Sequence, residues 1–312
     1  MEAPVKQDVP ATMLEAVRRF ADPQVAHDYF VQIRWPNAVA CPRDCGSVNV
    51  AYMAKHRRWY CRDCKGQFTA KVGTVFEDSP IGFDKWLPAM WLIASARNGI
   101  SSCEIARALH VTQKTAWFML HRLRATMQTG TFEKLTGPVE ADETFVGGKA
   151  RNMHLKRRKQ FITGTGGKNK VAVLGIIERK GKVRAFVVPS TRRHTLSEHI
   201  RQNVEKGATL YTDALPSYVG LDRDYRHHVI NHAVEYVNGH VHTNSIEGFW
   251  SVFKRTIKGT YIAPRPWQLQ RYVEEQVFRF NAREESDGPR FVEAAKGADG
   301  KRLTYKALTA KK

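Results

Sequence analysis

Asp142, Asp213, Glu247 and Asn244 are the residues whose types and spacing could hold a metal. Asp142 lies in the run Val139-Glu140-Ala141-Asp142-Glu143-Thr144-Phe145, with the apolar or small neighbours Val139, Ala141 and Phe145. Asp213 closes the run Ala208-Thr209-Leu210-Tyr211-Thr212-Asp213. Both runs have the composition of strands. A charged carboxylate in a sheet interior is costly unless a cation or donor offsets it. Two such carboxylates therefore point to a metal site. Glu247 follows Asp213 after 33 intervening residues, and Lys254 stands seven residues beyond Glu247. Asn244 and Glu247 are spaced i, i+3, so they share a face at a helix start. Oxygen-only ligands of this kind suit Mg²⁺ or Mn²⁺.

A second constellation is made of sulfur. Four of the five cysteines read Cys41-Pro-Arg-Asp-Cys45, then 15 residues, then Cys61-Arg-Asp-Cys64. Two close pairs joined by a hairpin-sized segment is zinc-ribbon spacing. Gly46 stands where such a knuckle needs a positive φ. Two disulfides would use the same residues, but the segment 1–10 carries Glu2 and Asp8 and lacks an apolar signal core, which predicts a cytoplasmic protein with reduced thiols. With all four ligands cysteine, the expected zinc is structural. Cys103 lies apart and reads as a small core residue.

The elements that must position these groups follow from periodicity. Segment 83–98 carries Phe83, Trp86, Leu87, Met90, Trp91 and Ala94 at helical spacing. Ser101 with Glu104 fits a capping box, and Thr112 can cap a second helix. That helix would turn Ala116, Trp117, Leu120 and Leu123 inward and Lys114, Arg122 and Arg124 outward. The pair has the pattern of a helix-turn-helix whose second helix could enter a major groove. Beyond a linker at 130–137, strands are expected at 138–148, 171–178, 182–188 and 208–213. Helices are expected at 195–204, 243–257 and 267–283, with Ile246, Trp250, Phe253 and Ile257 as the buried stripe of the second. The loop 149–170, with Gly164, Gly166 and Gly167 near its end, reads as mobile, and the last thirty residues as a frayed tail.

The chain of 312 residues carries 50 Lys/Arg against 30 Asp/Glu, a net charge of +20. That balance, with 42% hydrophobic residues, excludes a disordered polycation and predicts a polyanionic partner. Residues 1–140 hold 18 bases and 13 acids, whereas 141–312 hold 32 and 17. Two stretches lack acids altogether. Between Glu143 and Glu178 stand eight bases, among them Arg157, Arg158 and Lys159, and between Glu247 and Glu274 stand Lys254, Arg255, Lys258, Arg265 and Arg271. Each is either a solvated surface or one wall of a phosphate-binding groove.

These stretches together resemble the bacterial insertion-sequence transposases of the zinc-ribbon, ISXO2-like group, which join an N-terminal zinc ribbon to an RNase-H-like DDE core. The matching runs are 41–64 with the following Gly73-Thr74-Val75-Phe76-Glu77-Asp78, the Asp142 strand with Gly147-Gly148, Tyr211-Thr212-Asp213, and the run from His242 to Arg255. The resemblance implies a multi-domain α/β chain. It would carry a lead-in and ribbon over 1–80, a helix-turn-helix region over 81–130, a catalytic core over 138–285 and a basic tail over 286–312. It implies that Asp142 bridges two Mg²⁺ or Mn²⁺ ions, that Asp213 binds one and Glu247 the other, and that Lys254 contacts the DNA end. The group's third ligand is Asn or Glu, and both Asn244 and Glu247 are present. The implied chemistry is strand cleavage at element ends, then attack of the freed 3′-hydroxyl on target DNA, by a dimer or larger assembly. Lys114, Arg122, Arg157, Arg158, Lys159 and Arg255 are the further expected DNA contacts.

Three other readings use the same residues. One is a DNA-binding regulator or domesticated transposase without catalysis, and another is a nuclease of the same fold without strand transfer. A zinc hydrolase using His240 and His242 lacks a tight ligand set.

Overall fold

The computed structural model describes residues 9–128, 130, 133–162, 170–230 and 243–310, with the side chains of Arg157 and Phe161 outside that description. Two compact units are present, Met1–Gln128 with Ala282–Lys312, and Thr129–Asn281.

The first unit opens with α1 (Met13–Phe20) and α2 (Pro23–Arg34), whose first turns are capped by Thr12 and Asp22. An antiparallel ribbon follows, β1 (Val50–Met53), β2 (Arg58–Cys61) and β3 (Gln67–Phe68). Then come α3 (Phe83–Ser95), α4 (Ser102–Leu109) and α5 (Gln113–Thr126). The Ser101–Glu104 capping box is formed, His110 ends α4 in the left-handed conformation, and Thr112 caps α5.

The second unit is built on a five-stranded sheet. Its elements are β4 (Val139–Val146), α6 (Leu155–Phe161), β5 (Val171–Glu178), β6 (Val183–Val188), α7 (Arg193–Asn203), β7 (Thr209–Asp213), β8 (Arg226–Ile230), α8 (Asn244–Thr256) and α9 (Leu269–Asn281). The strand order is β6-β5-β4-β7-β8, with β4, β5 and β6 antiparallel and β7 and β8 parallel to β4. This is the mixed sheet that the RNase-H-like expectation requires. Residues Leu196, Ile200 and Val204, on and just after α7, pack on one face against Val139, Ala141, Leu174 and Leu210. Ile246, Phe249, Trp250 and Phe253 of α8 pack on the other face with Val173, Ile177 and Leu269. Each buried side chain of that size contributes roughly 1.5–3 kcal/mol.

The chain then returns to the first unit as α10 (Asp287–Lys296) and α11 (Tyr305–Thr309), so the expected frayed tail is instead ordered structure. Phe291 packs among Phe20, Tyr29 and Trp91, and Gly300 N–H donates to the Gly73 carbonyl. This wrapping corrects the outward reading of α5. Arg122 and Arg124 are buried, and the Arg122 Nε donates to the Leu303 carbonyl while its guanidinium covers Phe118. Arg122 is therefore a packing residue. Lys114 is exposed, as expected. Cys103 is exposed on α4 and is no core residue. The loop expected to be mobile contains α6, and Gly164, Gly166 and Gly167 lie outside the described residues.

Two features seat α8 on the sheet. Thr243 gives its first turn no side-chain cap, and Glu140, fully buried on β4, supplies the anion instead. Glu140 accepts from Ile246 N–H at 3.0 Å, Ser245 Oγ at 3.2 Å and Arg179 Nε at 2.8 Å. A carboxylate there answers both the unpaired N–H groups and the positive helix end. The second feature is Gly175, opposite Asp142 in the β4–β5 ladder. A Cβ at that position would lie 2.5 Å from the Trp250 ring and 2.8 Å from Ile246 Cδ1. Gly175→Ala is therefore expected to destabilise the fold by about 1–3 kcal/mol, the range for overpacked cores, read as a lower denaturation midpoint. An unchanged midpoint would show that α8 does not need this close approach.

Candidate active site and ribbon metal centre

Asp142 and Asp213 meet because of the parallel ladder. Ala141 pairs with Thr212, so the next residues on β4 and β7 emerge side by side where that ladder ends. Ligand crevices form outside such carboxyl ends in open α/β sheets. A third acid joins them: one oxygen each of Asp142, Glu143 and Asp213 lie within 4.8 Å of one another. Glu143 is not among the ligands expected from the sequence. The signal for it is strand alternation, which puts it on the face of Val139 and Ala141, where it is half-buried.

Each carboxyl is held differently. Trp250 Nε1 donates to Asp142 Oδ2 at 2.9 Å, which ties the carboxylate to α8. Asp213 Oδ1 accepts from Leu215 N–H at 3.1 Å. Burial pushes Asp142 up to about 6 and the Asp213 charge adds to this, against the Glu143 N–H, the Trp250 indole and Lys254. Burial also pushes Glu143 up to about 8, against the Tyr218 hydroxyl, with the Asp213 and Asp142 charges adding. The hydroxyl of the buried Tyr218 lies beside the Glu143 carboxylate and is its neighbouring donor. Three half-buried carboxylates within 4.8 Å of one another repel unless a cation joins them, and their oxygens suit a hard divalent one.

The residues expected from α8 lie on its first turn. Glu247 and Asn244 are exposed on its first turn, and Thr243 Oγ1 donates to Glu247 Oε1 at 3.3 Å. Glu247 is not within the 4.8 Å cluster of Asp142, Glu143 and Asp213. Lys254 and Arg255 are exposed further along the same helix, and Arg158 and Lys159 are exposed on α6. His240 and His242 lie outside the described residues, and no histidine joins a metal-binding group among the described ones.

The acid cluster predicts a metal response that depends on pH. Unfolded Asp and Glu titrate near ~4. With folded values raised, the protonated acids contribute stability that is present below pH ~4 and lost as pH rises through about 6 and about 8. A cation binds the deprotonated cluster, so its stabilising increment grows over the same window. At a hundredfold excess over Kd, Mg²⁺ or Mn²⁺ is expected to raise the melting temperature by roughly 5–10 °C at pH 8 and by little at pH 5. Scanning fluorimetry in chelator and in metal checks this, and an increment independent of pH would remove these acids as ligands.

The ribbon metal centre is better defined. The four sulfurs of Cys41, Cys45, Cys61 and Cys64 lie within 4.8 Å of one another. Cys41–Cys64 and Cys45–Cys61 are each 3.8 Å apart, the ~3.8 Å edge of a tetrahedron with ~2.3 Å zinc–sulfur bonds. Gly46 has φ 56°, as a knuckle requires. Asn49 Nδ2 donates to Asp63 across the two knuckles at 3.1 Å, and the Ser47 hydroxyl donates to the same carboxylate.

The fold and the two centres define a four-cysteine ribbon protein carrying an acid cluster on a mixed α/β sheet. Residues 134–281 match the ISXO2-like transposase domain, and residues 22–67 match the transposase zinc-ribbon domain. A transposase-like protein of Haemophilus influenzae is 34% identical over 103 residues, which is 33% of this chain and 83% of that protein. An uncharacterized protein in transposable element ISH50 of Halobacterium salinarum is 29% identical over 255 residues, 77% of this chain and 84% of that protein. The chain belongs to the ISXO2-like transposase family with an N-terminal zinc ribbon.

Proposed function

We propose that this transposase binds the ends of an insertion sequence, cleaves a strand there and joins the freed 3′-hydroxyl to target DNA. The observation that carries the reading is the convergence of Asp142 and Asp213, with Glu143, at the end of the β4–β7 ladder. These acids would hold one or two Mg²⁺ or Mn²⁺ ions, and the exposed first turn of α8 offers Glu247 or Asn244 as the remaining ligand. A cation bound there supplies activation of the attacking oxygen and neutralisation of the leaving one.

The protein's own groups do the rest. Trp250 orients the Asp142 carboxylate through its indole N–H. Lys254 and Arg255 of α8, and Arg158 and Lys159 of α6, present exposed positive charge to the phosphate backbone. The ribbon and the α4–α5 pair, with Lys114 exposed, serve end recognition. Two ends must be joined, so the working form is a dimer or larger. No membrane role is proposed, since no helix among the described residues is long and apolar enough to cross a bilayer.

The test is a joining assay. A labelled duplex from the DNA bordering this coding sequence is incubated with a target plasmid and Mg²⁺. Nicked ends and labelled plasmid support the reading. Cleaved ends with no joined product leave a nuclease, and binding without cleavage leaves a regulator.

A further inference from the structure

The C-terminal end of α8 carries a strained apolar tip that the cleavage chemistry does not use. α8 runs into a π-helical turn, Ile257–Tyr261, and stops at Ile262. Ile262 has φ 61° and ψ −64°, and Ala263 N–H donates to the Tyr261 carbonyl at 2.7 Å. This is a γ-turn of the strained, positive-φ kind. A β-branched residue is a steric outlier there, and glycine would fit without cost. The side chain is also 75% exposed, the highest value for a large apolar residue among those described.

The surroundings hold this conformation in place. On one side, the Tyr261 hydroxyl donates to the buried Glu275, and its ring packs on Tyr272 of α9. On the other side, Pro264 and Pro266 fix φ on the segment leaving the turn. Strain of this sort persists where its neighbours over-determine it, and it clusters at working surfaces. Bases and aromatics flank the tip along the chain. Lys258 and Arg265 are exposed, and the Arg265 guanidinium lies 6.0 Å from the ring of Trp267, itself 38% exposed. The whole stretch between Glu247 and Glu274 has no acid.

We propose that Ile262 is a wedge that enters the DNA base stack beside the cleavage site, with Lys258 and Arg265 on the flanking phosphates and Trp267 as a stacking surface. Apolar wedges, isoleucine among them, unstack base steps in this way, and exposed aromatics receive unstacked bases. Charge complementarity selects DNA as the occupant, since a basic rim around an apolar tip suits a polyanion with a stacked interior. The reach follows from helix geometry. Trp250, bonded to Asp142, precedes Ile262 by twelve residues. At ~1.5 Å per residue the tip stands about 18 Å along the helix axis from that anchor. At ~3.4 Å per base pair the distorted step falls within about five base pairs of the phosphate held at the acid cluster.

The inference rests on the DNA-cleaving reading above, and its test separates the two. The probe is the bordering duplex with 2-aminopurine at successive positions, bound to the full-length protein in Ca²⁺. Wild type is expected to bind, by anisotropy, and to raise 2-aminopurine fluorescence several-fold at one step. Ile262→Ser and Ile262→Gly should abolish that rise and keep affinity within about threefold, and Ile262→Leu should retain most of it. The glycine variant guards against misfolding, because it relieves the positive φ and should melt no lower than wild type. Binding with no rise, or a rise that survives in both variants, overturns the wedge and leaves the cleavage reading intact. Loss of a dimer on size exclusion with the rise unchanged also overturns it, and assigns the tip to a contact between copies. Failure of wild type to bind any duplex overturns both readings together.

Discussion

Asp142→Asn is expected to lower strand cleavage by roughly a thousandfold while leaving DNA binding intact. Losses of that size attend removal of one charge-stabilising group from a preorganised site, and correspond to ~4 kcal/mol of barrier. The substitution is close to isosteric, and the asparagine carbonyl can still accept from Trp250 Nε1, which now reaches Asp142 Oδ2 at 2.9 Å. What disappears is the negative charge at the point where β4 and β7 converge. That charge is costly in the absence of metal, because burial and Asp213 already push Asp142 up to about 6. The variant should therefore be at least as stable as wild type in chelator at pH 8, and should lose most of the stabilisation by Mg²⁺. Inactivity with raised metal-free stability separates loss of chemistry from loss of fold. Labelled-strand cleavage in Mg²⁺, with binding measured in Ca²⁺, reads both. Cleavage near the wild-type rate would remove Asp142 from the site.

The parts of this molecule that can be read from its sequence are those fixed by local pattern. The ribbon is set by four cysteines within 24 positions, so spacing alone nearly defines it. The strands carrying Asp142 and Asp213 show as runs of β-branched and aromatic residues around the acids, and their parallel pairing brings the acids together. Glu143 escapes because an acid next to an expected ligand looks like a solvated neighbour until the strand's other face is known to be covered by α7. Glu140 escapes for a related reason, since its partner is the first turn of a helix 106 residues away. Arg122 and Arg124 mislead because amphipathic analysis assumes one wet face. The cover over α5 comes from the far end of the chain, where weak periodicity hides α10 and α11. The strand β8 is hidden because Arg226, His227 and His228 make a polar strand, held in the sheet by its parallel pairing with β7.

The other large effect belongs to the ribbon, where a zinc ion held by the four cysteines would stand in for a core. Its strands are four, four and two residues long, and such a sheet is marginal in water on its own. Structural zinc contributes about 10–16 kcal/mol in small domains of this type. Cys61 is the most integrated ligand. It is fully buried and ends β2, where it pairs with Val50. The N–H groups of Cys64 and Asp63 point at its sulfur and pull it down to about 7, below a free thiol, which eases formation of the thiolate a metal needs. Cys61→Ser replaces that thiolate with a neutral hydroxyl whose shorter bond cannot reach the tetrahedral centre. The variant is expected to carry well under one zinc per chain by elemental analysis, against one for wild type. Trp59, two residues before Cys61 on the same face of β2 and stacked on Phe68 and His27, should then lose its near-ultraviolet signal. Affinity for the bordering duplex should fall at least about tenfold, on the ~1.4 kcal/mol scale of one decade, because end recognition is assigned to this unit. The stabilisation by Mg²⁺ should remain, since its acids lie in the Thr129–Asn281 unit. A strong chelator should reproduce the variant's behaviour in wild type. Retention of the Trp59 signal and of DNA affinity after complete zinc removal would show that the ribbon folds without its metal, and the tetrahedral spacing of the sulfurs would then need another cause.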